Sequence, residues 1–475
     1  YLWESSTLPL TVALNWRVVL QADEGIQDVS DNPVAIKTGQ FDYYVNDANT
    51  AGDVWCTGPG LPWSDEVTRG TNRATPLNNL KTLLDKLPVS GGDRIFVDTG
   101  VYSVSATNPI LFNDRNMGSQ TLPLNVYGST NVLAGGTLFQ GNGTSAGIQL
   151  QNTRHIELND IRIAGSQNAI SIDNVDTVRL RGLELFNNLS NGVAVSGSGG
   201  IAVQNSLFWN NGRFGYVSGG QKGSESIQNA TIWGNQAGAI SLLVGSLDVR
   251  NSLIGVTNAT MLFSEDGAST IGGDYNLFGL APGALLGSNS FNKLAYANLR
   301  QWQDRDRDAH SFIADPLFVD SSIGNFHLQS RSGWWSNGTW VTSSASSWAI
   351  DAGDPASTNF VNEPTPNGGR INLGCYGGTR FASKSDSTAG LFVLSLRDGG
   401  TAPALQYLHW LNRGMAATNM VRIEYSPDGG NTWVVLGLVQ VGASPLEWYS
   451  FDSPTPEAFW RVVLVANTNI SDATP

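Results

Sequence analysis

Ile156 to Ile163 reads IELNDIRI and Val178 to Leu185 reads VRLRGLEL, two strand-like segments that set the interpretation of the whole chain. Similar segments recur every 20 to 26 residues, at Ile201 to Phe208, Ile227 to Trp233 and Leu247 to Ile254. No helical stretch separates them, and the Leu-x-x-Leu-x-Leu frame of leucine-rich repeats is absent. The period therefore predicts a right-handed parallel β-helix with one coil per repeat.

Apolar and polar residues alternate within each segment, as expected for strands that cover a core with one face. In VRLRGLEL we expect Val178 and Leu180 to point inward, and Arg179 and Arg181 to point outward. This alternation predicts a buried interior and a polar outer surface for every coil.

Charged residues on the outer faces fall in register between neighbouring coils. A shift by one coil places Glu157 on Arg179 and, by the same shift, Arg162 on Glu184. Opposite charges on adjacent rungs stabilise a stacked sheet, and we favour this interpretation. The alternative is the active site of a polysaccharide lyase, which would need carboxylates for Ca²⁺ and a nearby basic residue.

Asparagine recurs where successive coils are expected to bend, at Asn187, Asn210 and Asn235. Asparagine tolerates left-handed backbone, and its side-chain amide can bond to the next coil. We therefore predict an asparagine ladder at one corner of a rod that rises about 4.8 Å per coil.

A leucine stripe precedes the coils. Beginning at Thr75-Pro76, four leucines lie at helical spacing: Leu77, Leu80, Leu84 and Leu87. The pattern predicts a short amphipathic helix, followed by a turn and a strand in GGDRIFVDTGVY. Because an open strand edge invites pairing with other chains, we expect the helix to cover the end of the rod.

The two ends of the chain are nearly duplicated. Trp16 to Asp28 reads WRVVLQADEGIQD and Trp460 to Asp472 reads WRVVLVANTNISD, with eight of thirteen positions identical at a constant offset (460 − 16 = 444). Average composition would give roughly one match. The similarity continues loosely upstream at Trp3 and Trp448. Both ends are expected to form the same pair of strands.

The C-terminal copy belongs to a predicted immunoglobulin-like β-sandwich. Leu391 to Asn469 supplies the strands LFVLSL, MVRIEYS and WVVLGLV with the turn PDGGNTW, close to the usual ~100 residues of such a domain. The N-terminal copy has only the last strands, which cannot bury an inner face alone. Three explanations stay open: a tandem polypeptide with a period near 444, completion of another chain's sandwich, or packing on the chain's own β-helix. The first two produce an array.

Composition limits the class of protein. Charged residues make up 14%, against about 25% usually, and 54 glycines suit a turn-rich β protein. The net charge of -13, without clustered Lys or Arg, argues against nucleic acid as a partner. The sequence contains no run of about 18 apolar residues, so it predicts no membrane span. The first residues do not resemble a signal peptide, so Tyr1 is expected to be a cut or mature end.

We divide the sequence into five segments. They are the terminal strands of an incomplete sandwich at 1–38, repeated at 445–475; an N-terminal cap with first coils and a short helix at 39–122; the β-helix core at 123–290; the last coils and loop-rich end at 291–387; and the immunoglobulin-like sandwich at 388–475.

Several sequence segments resemble those of large bacterial surface or secreted right-handed β-helix repeat proteins. They span roughly residues 41–384 and are YYVND (Tyr43 to Asp47), GDRIFVDTGVY (Gly92 to Tyr102), DAHSFIADPLFVD (Asp308 to Asp320), NFHL (Asn325 to Leu328), AIDAGDP (Ala349 to Pro355) and PNGGRINLGCYGGT (Pro366 to Thr379). The phrase VRIEYSPDGGNTW resembles the immunoglobulin-like modules that follow such β-helices. The resemblance implies an exported protein that is anchored or assembled outside the cell. It implies no activity, because the same fold hosts lyases, glycosidases, adhesins and stalks.

Aromatic residues are candidates for binding sugars. Trp209, Tyr216 and Trp233 fall in successive coils near the asparagine corners and could stack on sugar rings. The alternative is that these rings cover edges of the apolar core or a lateral interface. A second aromatic group follows the coils, where packing is the favoured interpretation: Trp334, Trp335 and Trp340.

Metal-binding and nucleophilic sites have little support. Asp304 to Asp308 reads DRDRD, and the alternating arginines favour a solvated, ion-paired loop over a metal site. Cys56 and Cys375 are expected to be isolated thiols rather than a disulfide. The four histidines show no spaced pair that predicts zinc or a catalytic triad: His155, His310, His327 and His409.

We expect a structural or adhesive extracellular module of a tandem-repeat or polymerising filament, with the β-helix as spacer and the sandwich as connector. Its expected partners are neighbouring copies, end to end, and a glycan is a further candidate. No catalytic residue or cofactor is predicted, although Ca²⁺ on loop Asp and Asn residues is left open. The predicted assembly residues are Trp3, Trp16, Val18, Leu20, Trp448, Trp460, Val462 and Leu464.

Two other function classes compete with this expectation. One is a polysaccharide lyase or glycoside hydrolase acting on an acidic polysaccharide, and the other is a non-catalytic glycan-binding module. An acidic protein repels an acidic polymer, so the enzyme hypothesis needs a locally basic or Ca²⁺-bridged groove.

Overall fold

The computed structural model describes residues 11–14, 17–20, 23–29, 34–36, 39–64, 68–197, 199–220, 223–397, 399, 404–450 and 455–475. The chain forms two compact units: residues 1–203 with 210–224, and residues 204–209 with 225–475. Stacked parallel strands dominate both units, so the fold is all-β, as the repeat period predicts.

Among the described residues, four short strands come first. They are β1 (Thr11–Leu14), β2 (Arg17–Leu20), β3 (Asp23–Val29) and β4 (Val34–Ile36). β2 and β3 pair antiparallel, and β1 pairs antiparallel with β4. This is the hairpin that the end duplication predicts.

The strands of the first coils follow, with helix α1 (Leu80–Lys86) and a 3-10 turn at Val132–Ala134. In chain order the strands are β5 (Asp42–Val45), β6 (Arg94–Val97), β7 (Gly100–Val104), β8 (Leu111–Phe112), β9 (Leu124–Gly128), β10 (Thr137–Gly141), β11 (Ile148–Gln151), β12 (Arg154–Asn159), β13 (Ile161–Ala164), β14 (Ile170–Asp173), β15 (Asp176–Arg181), β16 (Glu184–Phe186), β17 (Val193–Ser196), β18 (Ile201–Gln204), β19 (Leu207–Trp209) and β20 (Phe214–Gly219). In the first unit they stack as parallel sheets of order β5-β6-β9-β12-β15, β7-β10-β13-β16 and β8-β11-β14-β17-β20.

The second unit continues the same pattern and includes helix α2 (Leu299–Gln303). Its coil strands are β21 (Glu225–Gln228), β22 (Thr231–Trp233), β23 (Gly238–Leu242), β24 (Ser246–Arg250), β25 (Leu253–Gly255), β26 (Met261–Glu265), β27 (Thr270–Asp274), β28 (Leu277–Gly279), β29 (Leu285–Asn289), β30 (Leu294–Tyr296) and β31 (Phe312–Ile313). Parallel stacks run β19-β22-β25-β28-β31, β21-β24-β27 and β23-β26-β29, and β30 closes the last stack antiparallel.

Side-chain alternation matches the sequence interpretation. Val178 and Leu180 have no exposed surface, whereas Arg179 is partly exposed and Arg181 is exposed. The interior of the coils is therefore an apolar stack, because each inward residue meets another in the next coil.

The charge ladder between coils is confirmed. Glu157 pairs with Arg179 in strand register and Arg162 pairs with Glu184, and each ion pair is 2.6 Å long. These side chains are partly exposed, so each pair contributes at most about 1 kcal/mol. Their outward position serves register between rungs.

The corner ladder is confirmed at two of its three predicted positions. Asn187 and Asn210 have left-handed backbone, with φ of 52° and 51°, and Asn210 Nδ2 donates to Asn187 Oδ1 at 2.6 Å. The prediction for Asn235 is wrong by one residue. Gly234 is left-handed at its corner, and Asn235 is buried, donating to the Phe208 carbonyl at 3.1 Å.

The predicted helix is present but begins later than Thr75-Pro76. Asn79 is its N-cap, so Leu77 and Leu87 lie outside the helix although both are buried. Leu77 instead pairs with Val45 of β5, through hydrogen bonds to Tyr44 and Asn46 of 3.0 and 2.9 Å. The segment ahead of the helix, rather than the helix alone, covers the edge of the first coil strand.

Short hairpins connect the last coil to the sandwich. They consist of β32 (Phe318–Asp320) with β33 (Asn325–Leu328) and β34 (Trp334–Ser336) with β35 (Thr339–Val341), with 3-10 turns at Ser321–Ile323 and Asn359–Asn362.

The sandwich contains β36 (Gly390–Val393), β37 (Leu405–Leu408), β38 (Trp410–Arg413), β39 (Met420–Ser426), β40 (Val434–Gln440), β41 (Leu446–Tyr449), β42 (Phe459–Leu464) and β43 (Ser471–Ala473). β36 pairs with β38, β37 pairs with β41, and the remaining strands form a sheet of order β40-β39-β42-β43. Val393, Trp410, Val421 and Ile423 lie in its buried core. In the predicted PDGGNTW turn, Asp428 accepts the Thr432 backbone N–H at 2.8 Å.

Candidate assembly site

The last hairpin of the sandwich joins β42 and β43. Arg461 pairs with Ala473, and Val462 pairs with Asp472. On its other edge β42 pairs with β39, where Val462 lies opposite Ile423. Neither Val462 nor Ile423 has exposed surface. Burial of a valine side chain of this kind stabilises a fold by roughly 1.5–3 kcal/mol.

Polar contacts fasten this hairpin to β36 and the segment after it. Asp472 Oδ2 accepts the Val393 backbone N–H at 2.8 Å and an Arg397 Nη1–H at 2.8 Å. The Trp460 indole N–H donates to the Ser395 carbonyl at 3.0 Å. The inner edge of the hairpin is thus held by one ion pair and by two hydrogen bonds that involve backbone groups.

An ionic cluster fastens the outer face. Arg461 and Arg422 each donate through Nε to Glu424, at 2.5 Å, and Glu424 is only 4% exposed. The Arg461 guanidinium lies 3.9 Å from the centre of the Trp433 ring. Two arginines that share one buried carboxylate keep that carboxylate compensated.

The N-terminal hairpin has the same register as its counterpart. Arg17 pairs with Val29, Val18 with Asp28, and Val19 with Gln27, and each precedes its equivalent by the offset of the end duplication (461 − 17 = 444). The exposure differs, since Val18 is 61% exposed whereas Val462 is 0% exposed. Among the described strands β2 pairs with β3 alone. The N-terminal copy presents a face that the C-terminal copy buries.

The predicted assembly residues occupy different parts of this arrangement. Trp460, Val462 and Leu464 lie in β42 and are buried. Trp448 in β41 packs against the sandwich core, 4.8 Å from the Tyr425 ring. Trp3 and Trp16 fall outside the described residues, and so does the side chain of Leu20, the last residue of β2.

Sequence reasoning missed the charged partners of the hairpin, Arg397 and Glu424. A signal for them was available on the hairpin side, because Arg17 and Asp28 are among the eight identical positions. Nothing in the sequence marks the positions in β39 and after β36 that bind the equivalent side chains.

The candidate sugar-stacking rings are largely covered. Tyr216 has no exposed surface and therefore cannot stack on a sugar. Trp209 and Trp233 are register partners in β19 and β22, and both are partly buried. Trp209 packs on Phe326 with ring centres 5.9 Å apart, and Trp233 packs on Phe318 at 4.8 Å. The β32–β33 hairpin thus covers these tryptophans.

The second aromatic group is also packed. Trp335 and Trp340 face each other across the β34–β35 hairpin with ring centres 5.3 Å apart, and Trp334 is 9% exposed. Their contacts agree with the packing interpretation.

The acidic run after α2 is ion-paired, and it is buried only at its end. Asp308 is 3% exposed and accepts hydrogen bonds from the Trp302 indole at 2.8 Å and from Asn276 at 2.8 Å. Arg307 lies 2.7 Å from the buried Glu265. Burial raises the pKa of the Asp308 carboxyl. The predicted solvated loop is confirmed for the exposed Asp304, Arg305 and Asp306, and it is wrong for Arg307 and Asp308, which fold against the last coils.

Two of the four histidines meet, which their sequence spacing did not predict. His310 Nδ1 lies 2.6 Å from Asp274 Oδ2, and its ring stacks on Tyr275 and meets the edge of His409 at 5.0 Å. Burial lowers the pKa of His409 to about 4, so its imidazole is neutral at neutral pH.

The described part of the chain contains neither a cluster of metal-binding side chains nor a disulfide. No group of three or more His, Cys, Asp or Glu side chains there is arranged to hold a metal ion. Cys56 and Cys375 are both buried, and no disulfide joins them. Among the described helices, none has the length and apolar content that a bilayer crossing requires.

Two protein-family models match parts of the chain. Residues 129–275 match the model described as periplasmic copper-binding protein (NosD), and residues 246–353 match the model described as disaggregatase related. Both are families of parallel β-helices. The chain is a parallel β-helix repeat protein. No curated protein matches it.

Solved structures with some similarity to this β-helix protein include two lyases and a pollen allergen. Pectate lyase Pel9A is 14% identical, with 72% of this chain and 96% of that chain covered and a TM-score of 0.42. Jun a 1, the major allergen from cedar pollen, is 13% identical, with 51% and 67% covered and a TM-score of 0.31. Alginate lyase from Paenibacillus sp. str. FPU-7 is 13% identical, with 45% and 91% covered and a TM-score of 0.26.

Proposed function

We propose that this protein is a structural or adhesive module of an extracellular array, in which the β-helix is a spacer and the sandwich connects consecutive modules end to end. One observation carries the proposal. The two hairpins have the same register, yet Val462 is fully buried at the C-terminal end whereas its counterpart Val18 is 61% exposed at the N-terminal end.

An isolated two-stranded hairpin is marginally stable in water. We therefore expect another surface to cover the exposed Val18. The C-terminal sandwich is an example of such a surface, because it buries Val462 completely. A tandem repeat with the period of the end duplication supplies one hairpin and one sandwich per module, so every sandwich in a series would be complete. Arrays of this kind are stabilised by contacts between neighbours.

The proposal is tested with a two-module chain in which residues 1–444 are followed directly by residues 1–475. This junction places the second copy's Trp16 at the position of Trp460. Electron microscopy of single particles should show a folded sandwich between two β-helices, with a narrow distribution of distances between them.

Two variants of the second copy sharpen this experiment. Val18→Asp should broaden the distance distribution, whereas Val132→Asp, at an equally exposed valine outside the hairpin (61%), should not. An unmodified junction as variable as the Val18→Asp junction would reject the connector role. Sedimentation of the single module, with and without residues 1–38, then measures whether separate chains also associate.

A further inference from the structure

The structure points to a specific docking partner for the N-terminal hairpin, residues 17–29. We infer that in a tandem array it docks on residues 390–440 of the preceding repeat, where it takes the place that β42 and β43 hold in this chain and reproduces their contacts. This inference rests on the proposed function and names the surfaces that form the joint.

The apolar part of the joint follows from strand register. Val462 lies opposite Ile423, and both are fully buried. Val18 holds the position of Val462 in the N-terminal hairpin, so it would lie opposite Ile423 of the neighbouring copy. Burial of Val18, now 61% exposed, would remove that bare apolar side chain from water.

The acidic end of the hairpin has a basic counterpart. Asp28 is exposed and pairs in register with Val18, as Asp472 pairs with Val462. Since Asp472 is bound by Arg397 and by the Val393 backbone N–H, Asp28 would receive the same two hydrogen bonds from the neighbouring copy. A charge-assisted pair of this kind also fixes the register of docking.

The basic end has an acidic counterpart. Arg17 is exposed, and its Nη1 donates to Gln27 Oε1 within the hairpin at 3.0 Å. Its equivalent, Arg461, binds Glu424 and covers the Trp433 ring. The docked Arg17 would take over both contacts. Positive and negative groups on the hairpin thus match negative and positive groups on the sandwich, in the same order along the strands.

This complementarity commits the surface to a protein partner of this sequence. A neutral or acidic glycan would offer no cation for Asp28, and the phosphates of a nucleic acid would be repelled by it. Within the described part of the chain, Ile423, Glu424 and Arg397 already hold the C-terminal hairpin at the positions that the N-terminal hairpin would need on a preceding repeat.

Charge reversal in the two-module chain tests the pairing. In the unmodified chain, amide exchange over residues 17–29 of the second copy should be slower by about tenfold or more than in the single module. Asp28→Arg in the second copy should remove this protection. Adding Arg397→Asp in the first copy should restore it. Asp472→Arg is the matched control and should expose only the C-terminal hairpin.

The outcomes separate docking from array function. Equal protection in the single module and the two-module chain would show that the hairpin packs on its own module, and would overturn the docking. Failure of Arg397→Asp to rescue Asp28→Arg would overturn the pairing, even with fixed spacing between modules. Protection with rescue but variable spacing would support the docking and reject the connector role.

Discussion

Replacement of Arg307 by alanine should destabilise the second unit strongly. Arg307 Nη1 donates to Glu265 Oε1 at 2.7 Å, and the Glu265 side chain has no exposed surface. The same oxygen accepts the Ile271 backbone N–H at 2.6 Å. The Arg307 guanidinium also lies 4.4 Å from the centre of the Trp302 ring. One arginine therefore links the run after α2 to the last coils.

The magnitude follows from the burial of Glu265. Loss of Arg307 would leave a carboxylate in the interior without a compensating charge, which costs about 3–5 kcal/mol of unfolding free energy. Arg305 belongs to the same run but is exposed. Arg305→Ala should therefore change the unfolding free energy by no more than about 0.5 kcal/mol.

Urea unfolding followed by tryptophan fluorescence measures both variants. The double variant Glu265→Gln with Arg307→Ala removes the buried charge together with its partner, so it should be more stable than Arg307→Ala alone, with a coupling of about 0.5–3 kcal/mol. Equal losses for Arg307→Ala and Arg305→Ala would refute the reasoning. The reasoning would also be refuted if the double variant lost as much unfolding free energy as Glu265→Gln and Arg307→Ala lose separately, added together.

Two further predictions concern pH and backbone. Burial raises the pKa of Glu363 to about 7, so the folded state holds a proton that the unfolded state releases, and unfolding free energy should fall by up to about 3 kcal/mol as pH rises from about 4.5 to 7. Glu363→Gln should make the unfolding free energy, measured by urea titration at several pH values, less dependent on pH. An unchanged pH dependence would contradict its attribution to Glu363. At the left-handed Asn210, Ala should cost about 1–2 kcal/mol more than Gly in thermal unfolding, and equal costs would argue against a backbone origin.

The coils were predictable because their rules are local. Strict alternation along each strand and a regular repeat from coil to coil suffice to place Glu157 on Arg179 and Arg162 on Glu184, without knowledge of the rest of the chain. The hairpin at each end was predictable for a similar reason, since identical sequence at 16–20 and 460–464 predicts identical local pairing.

Contacts between distant segments were not predictable. Trp209 is covered by Phe326, and a pattern of neighbouring residues carries no information about such a partner. Asp308 looked solvated because arginines alternate with it, yet the fold buries it against Trp302. The corner predicted at Asn235 lies one residue earlier, because Gly234 also adopts left-handed backbone readily. Each difference arises where tertiary packing selects among choices that are locally equivalent.

Matching residues on both faces of the two hairpins favour the proposed docking into a sandwich over packing on the chain's own coils. Packing by the apolar face alone would require only inward residues such as Val18. Arg17 and Asp28 are also identical to their counterparts, and in the C-terminal copy those counterparts contact Glu424 and Arg397. Polar residues on an exposed hairpin gain little from particular identities unless partners of opposite charge meet them. A sandwich of this sequence offers both partners in one register, which is why we propose it as the docking surface.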